Sequence, residues 1–141
     1  MIRPIHVLLV EDNPGDADLI RDTLESGATA LEITVIGDGA DATDYLLRTG
    51  NHAGAEPPDL VVLDLNLPRL DGRQVLAEMK RHDRLRRIPV IVLTSSDAEK
   101  DIARSYEVGA SCYVTKPVDL ASFQAAVQAI DEFWFTVAKL P

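Results

Sequence analysis

The sequence is short of cysteine, of basic residues and of long apolar runs. One cysteine, Cys112, is present, so no internal disulfide can form. Lys and Arg number 14 against 23 Asp and Glu, and the net charge of −9 repels nucleic-acid phosphates and anionic membranes. No apolar run approaches ~18 residues, and "MIRPIHVLLVEDN" meets acids before it reaches signal-peptide length. We therefore expect a cytoplasmic protein that binds neither nucleic acid nor membranes.

What is present favours a folded domain of alternating strands and helices. Apolar runs rich in β-branched residues recur along the chain, and segments with helical periodicity separate them. We expect strands at residues 5–10, 31–36, 59–65, 88–94 and 111–115. The second to fourth runs are apolar on both faces, as in a parallel sheet that helices cover on both sides. The sequence therefore predicts a doubly wound α/β domain.

Capping residues mark where several of the helices begin. Asn13 followed by Pro14 is expected to start the first helix, and Asp119 the last. Ser96, with Glu99 three residues later, is expected to form a capping box for the fourth. Residues 48–59 contain Gly and Pro and are expected to form a surface loop, so residues 1–141 are interpreted as one domain.

Polar side chains follow the apolar runs, at the point where each predicted strand ends. The carboxyl ends of parallel strands form one edge of an open sheet, and ligands bind in the crevice outside it. The residues that the chain delivers there are Glu11, Asp12, Asp64, Asn66, Thr94 and Lys116. Two carboxylates about 4 Å apart repel by roughly 4 kcal/mol at an effective dielectric of about 20, so this cluster favours a bound cation. Mg²⁺ prefers oxygen ligands, and Asp12, Asp64 and a backbone carbonyl at Asn66 would supply them.

A phosphoryl group would give the remaining polar residues of this edge a role. The ammonium of Lys116 can pair with one phosphoryl oxygen, and the hydroxyl of Thr94 can donate a hydrogen bond to another. No Ser, Cys or His in these strand ends competes as a nucleophile. The pattern therefore indicates that Asp64 is a phosphoryl acceptor.

Four motifs along the chain resemble the receiver domain of two-component response regulators. They are "LLVEDN" at the first strand, "VVLDLNLPRLDG" at the third, "VLTSS" at the fourth and "CYVTKP" at the fifth. The resemblance implies a flavodoxin-like fold with five helices, a five-stranded sheet in the order 2-1-3-4-5, and Mg²⁺-dependent phosphorylation of Asp64 by a sensor histidine kinase. It also implies a switch in which Thr94 and Tyr113 move together, and a cis bond between Lys116 and Pro117.

Within that family, "VEDNPGDADLI" and the Pro-rich loop before the third strand look like the stand-alone regulators that partner bacterial phytochrome kinases. Two positions depart from the common family pattern. Leu67 stands where Met is frequent, and Glu11 replaces an Asp, which moves its contact to a metal-bound water. The resemblance implies a phosphoacceptor module that signals by protein contact, not an enzyme.

A rival interpretation rests on "GDGADA", Gly37 to Ala42. The motif follows a strand, opens a helix and matches the dinucleotide-binding fingerprint, with Glu56 and Asp59 about 20 residues further on. However, the motif lies in the second βα unit rather than the first, and its interior residues Asp38 and Asp41 would face a pyrophosphate.

Two further interpretations keep the fold and change the function. An aspartate-based phosphatase also forms an acyl phosphate, but it needs a general acid beside the nucleophile, commonly two residues on, where this chain has Asn66. A structural partner module with a vestigial pocket would not need Asp12, Asp64, Thr94 and Lys116 together. We therefore prefer the response-regulator interpretation.

The last helix carries an apolar stripe at three- and four-residue steps, which is expected to pack on the sheet. Its members are Leu120, Phe123, Val127, Ile130, Trp134 and Val137. If the α-helix continues, Phe133 and Phe135 lie about 100° to either side of Trp134, and we expect both rings to project beyond the stripe towards solvent. We interpret residues 133–141 as an apolar C-terminal extension that forms a homodimer, the alternative being a tail that folds back over its own domain.

Overall fold

The computed structural model describes residues 3–141 and has a five-stranded parallel sheet. The strands are β1 (Ile5–Val10), β2 (Leu31–Ile36), β3 (Leu60–Leu63), β4 (Val90–Thr94) and β5 (Cys112–Thr115). The helices are α1 (Pro14–Glu25), α2 (Gly39–Leu47), α3 (Gly72–Lys80), α4 (Glu99–Val108) and α5 (Leu120–Glu132), with a 3-10 turn at Gly50–His52 and a π-helical segment at Phe133–Val137. The sheet order β2-β1-β3-β4-β5 confirms the predicted flavodoxin-like fold. Among the described residues, no helix is both long and apolar enough to cross a bilayer.

Alternate residues of the central strands face two separate apolar layers. Leu8 and Val10 of β1 lie in the layer under α2, α3 and α4, while Val7 and Leu9 lie in the layer under α1 and α5. The same alternation holds along β3 and β4, which are buried on both faces as predicted, whereas β2, at the edge of the sheet, is only partly buried. Because the helices cover both faces, the open part of the sheet is its edge at the carboxyl ends of the strands.

The predicted helix starts are confirmed except for the one before α4. Asn13 caps α1 by accepting a hydrogen bond from the backbone N–H of Asp16, and Asp119 caps α5 in the same way through Ser122. The predicted capping box of Ser96 and Glu99 is wrong, because the N-cap position of α4 is Ala98. The hydroxyl of Ser96 donates instead to Asp101, which is also in the first turn of α4.

The end of α5 differs from the predicted continuous α-helix. A hydrogen bond from the backbone N–H of Ala138 to the carbonyl of Phe133 closes a π-type turn, which holds one more residue than an α-turn. Phe135, five residues after Ile130, therefore lies in the buried layer beside it and is 8% exposed. The prediction that Phe135 projects to solvent is wrong, and this part of the tail packs on its own domain.

The apolar stripe predicted for the last helix is buried in its middle and exposed at its ends. Phe123, Val127 and Ile130 are buried, as predicted, whereas Leu120 and Val137 are each 70% exposed. Leu120 is the first residue of the helix, and Val137 ends the segment that the π-type turn has rotated. Phe133 is 53% exposed, in agreement with the prediction for that ring.

Candidate functional site

Three carboxylates meet where β1 and β3, neighbours in the sheet, come to an end. Glu11 and Asp12 follow β1 and Asp64 follows β3, and one oxygen of each lies within 4.8 Å of the others. Glu11 and Asp64 are buried, while Asp12 is exposed at the mouth of the crevice. The predicted metal-binding acids are therefore brought together by adjacent strands.

The pKa of Glu11 is raised by its surroundings. Burial has the largest effect and raises this pKa, the hydrogen bond from Lys116 lowers it, and the charge of Asp64 raises it, so that the net value is about 7. A divalent cation among the three acids would offset this repulsion, and a set made of oxygen atoms alone suits a hard ion. The residues present therefore fit the metal that the sequence predicts.

Lys116 follows β5 and points into the same crevice. Its Nζ lies 2.6 Å from Oε1 of Glu11, 3.0 Å from Oδ2 of Asp16 and 3.1 Å from Oδ2 of Asp64, and the side chain is 8% exposed. Burial by itself lowers the pKa of Lys116, but the hydrogen bonds to Glu11 and Asp16 and the charge of Asp64 hold it above its usual value. The ammonium therefore stays charged. The expected cis bond before Pro117 is absent, since all peptide bonds of the described chain are trans.

Asp64 has a different partner at each of its carboxylate oxygens. Its Oδ1 accepts a 2.7 Å hydrogen bond from the hydroxyl of Thr94, which is fully buried at the end of β4, and a 3.1 Å bond from the backbone N–H of Asn66. Its Oδ2 faces Lys116. This arrangement fixes the carboxylate plane between a hydroxyl and an ammonium, the two groups predicted to bind a phosphoryl group. Asn66 is held beside Asp64, and its carbonyl as a metal ligand stays a prediction.

Tyr113 contacts the loop after Thr94 rather than Thr94 itself. Its hydroxyl donates a 2.7 Å hydrogen bond to the carbonyl of Ser96, and the ring is half-buried between α4 and β5. Ser96 in turn donates to Asp101, which accepts two hydrogen bonds from the guanidinium of Arg73 on α3. The predicted switch pair is thus connected through the β4–α4 loop, which is itself tied to α3.

Sequence reasoning missed Asp16, Arg73 and Asp101 as parts of this region. Arg73 and Asp101 lie 28 residues apart and meet only when α3 and α4 pack together. Asp16 could have been found, because it lies four residues after Asp12 in the first turn of a helix that begins at the ligand-binding edge.

The glycine-rich motif Gly37 to Ala42 has a structural explanation that leaves no room for a dinucleotide. Asp38 caps α2 with its own carboxylate, and the backbone N–H of Gly39 donates to the carbonyl of Pro68 in the β3–α3 loop. A methyl group at Gly39 would overlap the carbonyl of Leu70. The N–H groups that would cradle a pyrophosphate are therefore occupied by an acid and by the acceptor loop.

The fold and these strand-end residues together define a phosphoacceptor receiver domain, and comparison with known sequences agrees. The profile described as response regulator receiver domain matches residues 7–128. The chain belongs to this family, as the four sequence motifs predicted.

The similarity extends to individual regulators along nearly their whole length. Response regulator Rcp1 of Synechocystis sp. is 41% identical over 138 residues, which cover 98% of this chain and 94% of that protein. The crystal structure of its Mn²⁺-bound form has a TM-score of 0.96 and covers 98% of this chain and 99% of the other. The phosphorylated cyanobacterial phytochrome response regulator RcpA, 44% identical, has a TM-score of 0.95 with 99% of both chains covered.

A bacteriophytochrome regulator is also similar in sequence and fold. The bacteriophytochrome response regulator AtBRR is 43% identical and has a TM-score of 0.74. The match covers 98% of this chain and 100% of AtBRR. The resemblance to regulators of phytochrome kinases, predicted from "VEDNPGDADLI", is therefore confirmed. The dinucleotide interpretation is not supported by any of these similarities.

Proposed function

We propose that this response regulator accepts a phosphoryl group on Asp64 from a sensor histidine kinase and signals by protein–protein contact. The observation that carries the proposal is the position of the Asp64 carboxylate, whose two oxygens face the hydroxyl of Thr94 and the ammonium of Lys116. Both groups can donate to phosphoryl oxygens, and neither is a nucleophile that would compete with the carboxylate at neutral pH.

In the proposed transfer, the crevice supplies the acceptor and the groups that bind the phosphoryl oxygens, and the kinase supplies the phosphoryl group. A carboxylate oxygen of Asp64 attacks the phosphorus of a phosphohistidine, a P–O bond forms, and the P–N bond breaks. The departing imidazole keeps the bonding electron pair and takes a proton from solvent, so the products are an acyl phosphate and a neutral histidine. Lys116 and Thr94 bind the transferred oxygens, and the crevice supplies position and charge rather than covalent chemistry.

We propose that the metal ion is Mg²⁺, which Asp12, Asp64 and the backbone carbonyl of Asn66 would hold, with Glu11 expected to act through a water. When bound, the ion neutralises charge on the transferring phosphoryl group. The three acids within 4.8 Å of one another support this assignment. Because a kinase charges its histidine from ATP, the exchange belongs to the cytoplasm.

The kinase partner that we propose is of the bacteriophytochrome class. The support is the similarity to RcpA and AtBRR, whose names connect those proteins to phytochromes. A purified phytochrome kinase that is 32P-labelled on its histidine should lose the label to this chain within minutes. A kinase of another sensor class is the matched control and should transfer much more slowly.

We further propose that the domain is not a phosphatase or another rapid enzyme. Hydrolysis of an acyl phosphate is accelerated by a general acid or base two residues after the acceptor, and Asn66 at that position cannot exchange a proton. Asn66 is exposed, and its side chain has no group that titrates. The phosphorylated state should therefore last long enough to be read by a partner.

The deciding experiment for Asp64 is intact mass measurement after incubation with acetyl phosphate and Mg²⁺. Wild type should gain one phosphoryl group, and Asp64→Asn should gain none. Asp71→Asn is a matched control, because Asp71 caps α3 at the end of the same loop and should leave labelling intact. Equal labelling of wild type and Asp64→Asn would overturn the assignment.

We also propose that the chain forms a homodimer through a surface called here the α5–β5 face. An apolar depression of about 340 Å³ lies on it, lined by Cys112, Val114, Ala126, Ala129, Ile130, Phe133 and Trp134. Phe133 is exposed beside Trp134, with ring centroids 5.4 Å apart and an edge-to-face angle of 83°. Since β5 is an edge strand, a second copy can cover this patch by a reciprocal two-fold contact.

Light scattering tests the dimer, and the choice of variant matters. Removing residues after Glu132 would also remove the buried Phe135, so Phe133→Asp is the sharper change. Wild type should run at twice the 15.4 kDa chain mass at tens of micromolar, and Phe133→Asp should run as a monomer that still accepts phosphate. Val118→Asp changes an exposed apolar residue outside the depression and should remain a dimer. A monomeric wild type would overturn the proposal.

A further inference from the structure

Lys116 contacts three carboxylates, and these three differ in whether they can bind the metal or accept the phosphoryl group. Glu11 and Asp64 belong to the metal cluster, and Asp64 is also the acceptor. Asp16 comes from the first turn of α1, lies 3.0 Å from Nζ and is outside that cluster. Asp16 is therefore the one of these three carboxylates that is placed neither to bind the metal nor to accept the phosphoryl group.

The other two partners are weakened when the site is loaded. A metal ion draws charge from Glu11 and Asp64, so both carboxylates attract the ammonium less strongly once the ion is bound and before a phosphoryl oxygen reaches Lys116. A flexible four-carbon side chain with fewer partners gains rotamer freedom and leaves its position more readily. Asp16 lies outside the metal cluster, so neither the ion nor the phosphoryl group competes with Nζ for its carboxylate.

We propose that Asp16 is a positioning residue for phosphoryl transfer, acting through Lys116 by anchoring its ammonium beside Asp64. The inference rests on the proposed phosphorylation of Asp64 and adds a residue to that site. It also explains why an acid is placed in the first turn of α1 although the N-cap there is already provided by Asn13.

A contrary effect has to be weighed, because a fourth acid near the crevice would repel an anionic phosphoryl donor. Asp16 is 31% exposed, so solvent screens its charge at the distance of the phosphoryl group. Its contact with Lys116 is direct and almost free of intervening solvent, since the lysine side chain is 8% exposed. Anchoring should therefore outweigh repulsion, and the two effects predict opposite changes in rate.

The test is the rate of labelling by acetyl phosphate in saturating Mg²⁺, followed by intact mass. Asp16→Asn should be labelled about fivefold more slowly, the size expected for one partly exposed ion pair. Asp16→Glu keeps the charge and should restore most of the rate. Asp18→Asn makes the same charge change on an exposed position of the same helix and should leave the rate unchanged.

A double-mutant cycle separates anchoring from a general structural role. In a Lys116→Ala background, which labels slowly, Asp16→Asn should cause no further loss, because the group through which it acts is gone. A further loss there, or an unchanged or faster rate in the single variant, would overturn the inference. Asp16→Ser repeats the measurement if thermal melting shows that the Asn form is not fully folded. Failure of wild type to label at all would instead contradict the phosphorylation of Asp64.

Discussion

The hydroxyl of Thr94 and the carboxylate of Asp64 are hydrogen-bonded at 2.7 Å across the ends of adjacent strands. Because Oδ1 of Asp64 is the atom that Thr94 contacts, a phosphoryl group bonded to this oxygen would offer the hydroxyl a new acceptor. Two residues further on, the carbonyl of Ser96 accepts the hydroxyl of Tyr113. A change at Asp64 is therefore connected by one short loop to the half-buried ring of Tyr113.

Thr94→Ala should separate phosphorylation from its readout. The variant should still accept phosphate, since Asp64 and Lys116 remain, but its phosphorylation should strengthen partner binding much less than in wild type. Thr94→Ser keeps the hydroxyl and should behave as wild type. The affinity of each form for the cognate kinase or target, measured by isothermal titration, decides the matter, and a full response in phosphorylated Thr94→Ala would refute it.

Mg²⁺ alone should stabilise the protein against heat. An ion at a hundred times its dissociation constant adds about 2.7 kcal/mol to the free energy of unfolding. Asp12→Ala should remove most of this gain, because Asp12 is one of the three clustered acids. Asp18→Ala on the exposed side of α1 is the control, and a melting shift that survives Asp12→Ala would place the ion elsewhere.

The pH dependence of stability without metal should carry a component from Glu11. Its folded pKa of about 7 lies above the model-compound value of 4.5, chiefly because of burial, so the folded state binds this proton more tightly than the unfolded chain does. The stabilising contribution is complete below about pH 4.5 and is lost as the pH rises through 7. Urea unfolding from pH 5 to 8 should show this decline in wild type and a flatter profile in Glu11→Gln; equal profiles would contradict it.

Asp101 should contribute to stability in the opposite pH direction. Hydrogen bonds from Arg73 and then Ser96 lower the pKa of Asp101 to about 2, below the usual 3.8. This stabilisation is present above about pH 4 and is lost as the pH falls towards 2. Asp101→Asn should flatten the acid limb of the stability profile, whereas Asp97→Asn, an exposed neighbour, should not. Because Asp101 also accepts a hydrogen bond from the hydroxyl of Ser96, the variant should make the β4–α4 loop more mobile as well.

The strands along the chain and the polar residues at their ends could be predicted from the sequence because both depend on local patterns, whereas the order of the strands in the sheet came from the resemblance to receiver domains. An apolar β-branched run that stops at a charged residue predicts a buried strand and a polar strand end, as at Asp64 and Lys116. The Arg73–Asp101 contact was not predicted, since it depends on how two helices pack. The burial of Phe135 was not predicted, because the apolar stripe was counted at 3.6 residues per turn and the π-type turn at Phe133–Val137 changes that spacing.

The contact between Gly39 and the β3–α3 loop connects the segment that follows Asp64 to the start of α2. The loop turns sharply at Arg69, whose φ of 67° is unusual for a residue with a side chain, and the carbonyls of Pro68 and Leu70 lie against the start of α2. Residues 66–70 therefore cannot shift without moving α2 or breaking the hydrogen bond from Gly39. A displacement of Asp64 would therefore meet two sets of contacts, one through Thr94 and the β4–α4 loop to Tyr113 on β5, and one through the β3–α3 loop to the start of α2.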